Sequence, residues 1–142
     1  LYSNMKILFI CKHNRFRSKV AEAIFNKLNK NRKIKAESAG ILIDELHLYV
    51  AESVIKIMKE KGYDIGGIPR KVDSSLINNY DLLVIVANNV NPEFFKESFK
   101  GKIIWWKIKD CSALDINGIR KRINEIEKRV KKLIRELNIL VM

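Results

Sequence analysis

Ile7-Leu8-Phe9-Ile10 and Leu82-Leu83-Val84-Ile85-Val86 are each apolar without interruption. A strand with one wet face alternates apolar and polar side chains, so an unbroken run has to be covered on both faces. Sheets covered in this way are built from parallel strands joined by helices, which makes these runs the strongest constraint on the fold. The rest of the chain agrees with them. Val20, Ala23, Ile24 and Leu28 recur at helical spacing after the first run. Ile34 to Ser38 alternates and ends at Ala39-Gly40, predicting a strand. Residues 41–48 read as a loop, and Val50, Val54, Ile57 and Met58 mark a helix stopped by Gly62. Gly66, Gly67 and Pro69 punctuate a turn, and Asp73-Ser74-Ser75 can cap a short helix through Leu76 and Ile77. Asn91-Pro92 carries the signature of a helix start, with Phe94, Phe95 and Phe99 following. Ile103 to Ile108 is predicted as the last strand. Ile119, Ile123, Ile126, Val130, Leu133 and Leu137 mark a long terminal helix.

Strand and helix therefore alternate throughout. The expected fold is α/β: a three-layer α/β/α sandwich around a four-stranded parallel sheet with right-handed crossovers. It is expected to be a single domain over residues 5–142, with Leu1-Tyr2-Ser3-Asn4 before Met5 set aside as a remnant of expression cloning. A chain of 142 residues with 47% hydrophobic content can bury one core. It has no unbroken apolar segment long enough for a membrane span and no secretory pattern, so a cytoplasmic location and no membrane partner are expected. Two cysteines, Cys11 and Cys111, fit a reactive thiol in a reducing compartment better than a stapled secreted domain. His13 and His47 stand isolated, so neither a metal nor another cofactor is expected.

The formal charge is +12. Such an excess attracts anions, phosphorylated substrates or nucleic acid. Much of it reads as solvated surface, since Arg120, Lys121, Arg122, Lys128, Arg129, Lys131, Lys132 and Arg135 decorate one helix. Aromatic side chains are not interleaved with these basic residues, which disfavours nucleic acid as a partner.

Ligands of such sheets bind beyond the carboxyl ends of the strands. Three marked positions fall there: Cys11 after the first run, Asn88-Asn89 after the second, and Asp110 after the last strand. Cys11 is followed by five residues, then Arg17 and Ser18. Lys12, His13, Asn14, Arg15, Phe16, Arg17 and Ser18 would form a phosphate-binding loop whose backbone N–H groups point inward, completed by a helix amino terminus. Arg17 adds a planar fork of donors for phosphoryl oxygens. The same positive potential favours a Cys11 thiolate, and the Ser18 hydroxyl can donate to its sulfur. Asn14 suits the loop itself, because Asn tolerates left-handed backbone and bonds locally. Asp110 is the candidate proton donor for a leaving group, with Asp115 in reserve but better suited to cap a helix. Leu46 and Tyr49 belong to a loop expected to overhang the site.

Cys11-Lys12-His13-Asn14-Arg15-Phe16-Arg17-Ser18, preceded by Ile7-Leu8-Phe9-Ile10 and followed by Ala21-Glu22, resembles the signature of the low-molecular-weight protein tyrosine phosphatases. Glu37-Ser38-Ala39-Gly40 and Tyr80-Asp81-Leu82 extend the likeness along the chain. The resemblance implies hydrolysis of phosphate monoesters through a cysteinyl-phosphate. Cys11, Arg17 and Asp110 would be catalytic, a phosphorylated protein or small aryl phosphate the substrate, and inorganic phosphate the product. Three positions depart from the pattern. His13 stands where the family usually has Gly, Phe16 where it often has Cys, and Cys111 where Pro typically follows the acid. Two other functions remain open: an arsenate reductase of the same fold, and a non-catalytic module binding phosphate or nucleic acid. The arsenate reductases need further cysteines, and Val86-Ala87-Asn88-Asn89-Val90 has none, leaving only Cys111.

Overall fold

A computed structural model describes residues 3–141; Leu1 and Tyr2 of the leading segment, and Met142 at the end of the expected domain, lie outside them. Four strands form one sheet: β1 Met5–Cys11, β2 Ile34–Gly40, β3 Leu82–Val86 and β4 Lys102–Trp106. Their spatial order is β2-β1-β3-β4 and every pairing is parallel. Those two apolar runs are the two central strands, with Ile7 opposite Leu82 and Ile10 opposite Ile85, whereas the equally unbroken Ile103-Ile104-Trp105-Trp106 lies in the edge strand β4 and is only partly buried. All five residues of β3 are buried.

The helices are α1 Arg17–Leu28, α2 Glu52–Glu60 and α3 Ile116–Leu140. Residues alternate between the two faces of β1, as the pleat demands. Ile7 and Phe9 share one core with Val20, Ile24 and Phe25 of α1, Val54, Ile57 and Met58 of α2, and Ile119, Ile123 and Ile126 of α3. The Phe9 ring sits 6.0 Å from Phe25 and 6.0 Å from Trp106. Leu8 and Ile10 face the opposite side, packing with Ile77, Leu83, Ile85, Phe95 and Phe99, and Cys11 at the end of the strand also touches that cluster. That second layer is built from short 3-10 turns at Ile77–Asn79 and Pro92–Phe95, and all three α-helices lie on the first face.

Three local expectations shift. The helix expected after Asn91-Pro92 is one 3-10 turn. Asn91 does cap it, accepting from the Glu93 N–H, but the chain must enter β4 soon afterwards. At Gly101 an added Cβ would lie 2.5 Å from the Phe99 ring and 2.8 Å from the Asp81 carbonyl, so Phe99 closes the segment against the sheet. The short helix expected through Leu76 and Ile77 is a turn, with Asp73 Oδ1 accepting from the Ser75 N–H and hydroxyl, and the 3-10 turn follows it. The last strand begins at Lys102 and ends at Trp106, two residues earlier than expected. Ile108 is still buried, but its N–H turns back onto the Trp106 carbonyl at 2.8 Å. That bend carries the chain towards the carboxyl edge of β1.

Candidate active site

Cys11 is the last residue of β1, 3% exposed, and its Sγ lies 2.9 Å from the Ser18 Oγ in the first turn of α1. The chain must turn back within the six residues 12–17 to bring Ser18 there. It does so through Asn14, whose φ of 55° places it in the left-handed region. The buried Asn14 amide donates to Ser18 Oγ at 2.8 Å and Ser38 Oγ at 2.9 Å, and its Oδ1 accepts from the Arg70 N–H at 3.0 Å. The Ser38 hydroxyl in turn donates to Glu22 Oε1 at 2.6 Å. The loop is therefore tied to α1, β2 and the 66–72 turn by one side chain.

Gly40 completes the support. Lys12, His13 and Asn14 cross the end of β2 so closely that an added Cβ at Gly40 would lie 2.8 Å from backbone atoms of all three. Among the described residues, no protein acceptor takes the backbone N–H groups of residues 13–18. These groups and the uncapped start of α1, which has no acidic residue in its first turn, make a cradle for an anion.

Arg17, the first residue of α1, is 2% exposed. Its two terminal nitrogens are held at 2.8 Å by the Ile108 carbonyl, at 3.4 Å by Asn88 Oδ1 and at 3.1 Å by Asn89 Oδ1. Asp110 Oδ2 lies 3.8 Å from the same guanidinium, with its side chain 55% exposed, and Oδ1 accepts from the Cys111 N–H at 2.9 Å. The neutral acceptors orient the fork without cancelling its charge.

A small cavity of about 90 Å³ is lined by Cys11, His13, Arg15, Phe16, Arg17 and Asp110, with Ala51 and Val54 beside α2 and Cys111, Ser112 and Ala113 opposite. Three of the loop residues expected at the site do not line it. Asn14 and Ser18 are buried behind it, and Lys12 instead offers its carbonyl to the Leu42 N–H at 3.0 Å. Leu46 and Tyr49 are exposed in the neighbouring loop, and the Tyr49 carbonyl accepts from Arg15 Nε at 2.8 Å. His47 Nδ1 sits 2.9 Å from Asp44, an interaction that holds the Asp44 carboxyl below the usual carboxylate range. Asp115 caps α3, accepting from the Gly118 N–H. Burial pushes the Cys111 thiol above its ordinary range; Arg122 opposes the shift and Asp110 adds to it.

Three contributors to the site have no role assigned from the sequence. Asn88 and Asn89 were marked only by their place after β3. Ile108 acts through its carbonyl, which no residue type announces.

Residues 6–140 match the low molecular weight phosphotyrosine protein phosphatase family. The chain belongs to this family. Its relatives carry two kinds of chemistry in their names. It is 26% identical over 138 residues to the glutaredoxin arsenate reductase of Synechocystis sp., covering 94% of this chain and 98% of that protein. The arsenate reductase structure from Archaeoglobus fulgidus is 34% identical with a TM-score of 0.74, covering 90% of this chain and 98% of that one. A protein tyrosine phosphatase structure from Entamoeba histolytica is 26% identical with a TM-score of 0.77, covering 95% and 97%. The family match spans the sheet and its helices, with Cys11 and Arg17 at the two ends of the loop between β1 and α1.

Proposed function

We propose that the protein is a protein tyrosine phosphatase, hydrolysing phosphate monoesters through a cysteinyl-phosphate. The observation that carries this is the convergence of the Cys11 sulfur, the Arg17 guanidinium and the Asp110 carboxyl on one cavity. The Cys11 thiolate attacks phosphorus, stabilised by the Ser18 hydroxyl 2.9 Å away. The phosphoryl oxygens rest on the N–H groups of residues 13–18 and on Arg17, donors that follow the charge as it develops. Asp110 gives its proton to the departing alkoxide or phenoxide, then takes one from the water that cleaves the S–P bond. Inorganic phosphate leaves and the thiolate returns. No cofactor enters these steps. The exposure of Asp110 leaves its carboxyl open to the leaving group and to the water that follows it.

The test is release of phosphate from phenyl phosphate. Wild type should turn it over. Cys11→Ser should abolish turnover while still binding inorganic phosphate in calorimetry, and undiminished turnover by that variant would refute the proposal.

One observation favours a second chemistry, reduction of arsenate. Cys111 lines the same cavity as Cys11, both thiols are free, and two relatives described above are named arsenate reductases. Cys11 would displace a hydroxide from arsenate and form an S–As bond. Attack of Cys111 on the Cys11 sulfur would then leave the S–As electron pair on arsenic, releasing arsenite and a disulfide for an external dithiol to reduce. Arsenite formation with a dithiol reductant that disappears in Cys111→Ser would establish this activity. The same assay without arsenite from wild type would remove it.

A further inference from the structure

The cavity carries two guanidinium groups that are not used alike. Arg17 is buried, engaged by three neutral acceptors, and lines the cavity beside Cys11. Arg15 is half-exposed at the solvent edge, beside Tyr49, which is 70% exposed. Its Nε is committed to the Tyr49 carbonyl at 2.8 Å, which fixes the plane of the guanidinium. Its two terminal nitrogens have no hydrogen-bond or carboxylate partner among the described residues. Asp110, the only carboxylate among the described residues that line the cavity, faces Arg17.

A phosphoryl dianion is already matched by Arg17 and the backbone cradle, so Arg15 adds a positive charge that the reacting group does not need. Arginine forks with two idle N–H groups recognise planar or tetrahedral oxyanions. An uncharged aryl group in the mouth would leave that guanidinium partly desolvated and without a partner, which is unfavourable. On the phosphatase assignment made above, we propose that Arg15 selects substrates bearing a second anion, a carboxylate or another phosphate a few bonds from the scissile phosphate. The chemistry is the same whether the anion belongs to a small organic phosphate or to an acidic side chain beside a phosphorylated residue.

The experiment compares kcat/KM for phenyl phosphate and 3-carboxyphenyl phosphate, and for phosphotyrosine peptides with Glu or Gln before the phosphorylated residue. Wild type should prefer the doubly anionic member of at least one pair by roughly three- to tenfold, the range of a half-exposed charge pair. The preference should lie in KM, shrink with added salt, vanish in Arg15→Gln and persist in part in Arg15→Lys. The pair that shows it identifies the source of the anion. Equal rates within both pairs for wild type would overturn the proposal. So would Arg15→Gln lowering both members of a pair in the same proportion, which would place Arg15 on the phosphoryl group or leave it only as a staple for the Tyr49 loop. Binding of the same compounds to Cys11→Ser, read by calorimetry, separates the two levels: absence of wild-type turnover refutes the phosphatase assignment, whereas absence of a binding preference refutes the role of Arg15.

Discussion

Asn14 shows how much of the site hangs on single side chains. It is the only non-glycine residue with positive φ among those described, and its buried amide serves three partners on different elements. Asn14→Gly keeps the backbone conformation available and loses the hydrogen bonds, leaving Ser18, Ser38 and Arg70 short of a partner. The expected loss is roughly 1–3 kcal/mol in urea unfolding. Asn14→Ala should lose about 1 kcal/mol more, because alanine resists the left-handed region. Equal losses would mean the backbone is not strained there. Asp110→Asn keeps the shape of the side chain and removes its proton chemistry, so kcat on phenyl phosphate should fall roughly 10²–10⁴-fold with phosphate affinity retained. A kcat within a few-fold of wild type would leave the donor elsewhere. The Asn14 geometry and the cap at Asp115 were legible from residue type, since few side chains do those jobs. The grip on Arg17 was not. Amides accept hydrogen bonds in many places, and a backbone carbonyl such as that of Ile108 leaves no mark in the sequence.

Among the elements, the two central strands were the most legible because burial on both faces permits so few residue types. Their neighbours β2 and β4 alternate or run on, and their positions in the order β2-β1-β3-β4 depend on crossover geometry that no local pattern encodes. The helix expected after β3 shortens to one 3-10 turn for a related reason. Asn91-Pro92 is a sound start for a helix, yet Phe95 and Phe99 bury themselves within one turn of each other and the chain must then enter β4. The phosphate loop and β2 meet at Gly40, where a Cβ would strike backbone that cannot move cheaply. Gly40→Ala should therefore weaken phosphate binding and turnover together while far-ultraviolet circular dichroism stays native. An unchanged phosphate affinity would show that the loop tolerates displacement. Asp115→Ala removes the cap of α3 and should lower stability by about 0.5–2 kcal/mol, read as a fall in Tm.

At the scale of the molecule, α3 is latched to the chain beyond α2 by the Tyr63 hydroxyl donating to Glu127, with Lys61 3.4 Å from the same carboxylate. Burial and the carboxylate raise the Tyr63 phenol above its ordinary range. Burial pushes Glu127 up, but the Tyr63 hydrogen bond and the neighbouring lysines outweigh it and hold the group low. A raised phenol contributes stability that is complete below the ordinary tyrosine range and is lost as pH rises through it towards the folded value. A lowered carboxyl contributes stability present above the ordinary glutamate range and lost as pH falls through the folded value. Unfolding free energy should therefore decline at both extremes, and Tyr63→Phe should flatten the alkaline limb; an alkaline limb of equal slope in that variant would assign it to other groups. The helices, sheet and latch together hold Cys11 in a cavity with Arg17 and Asp110, the arrangement on which the proposed covalent catalysis rests. The most direct measurement is rapid quenching of Asp110→Asn during turnover of phenyl phosphate, followed by mass spectrometry of the peptide containing residue 11. The account predicts one phosphoryl group on the Cys11 sulfur; steady turnover with no phosphoryl there, or with the label on another side chain, would contradict it.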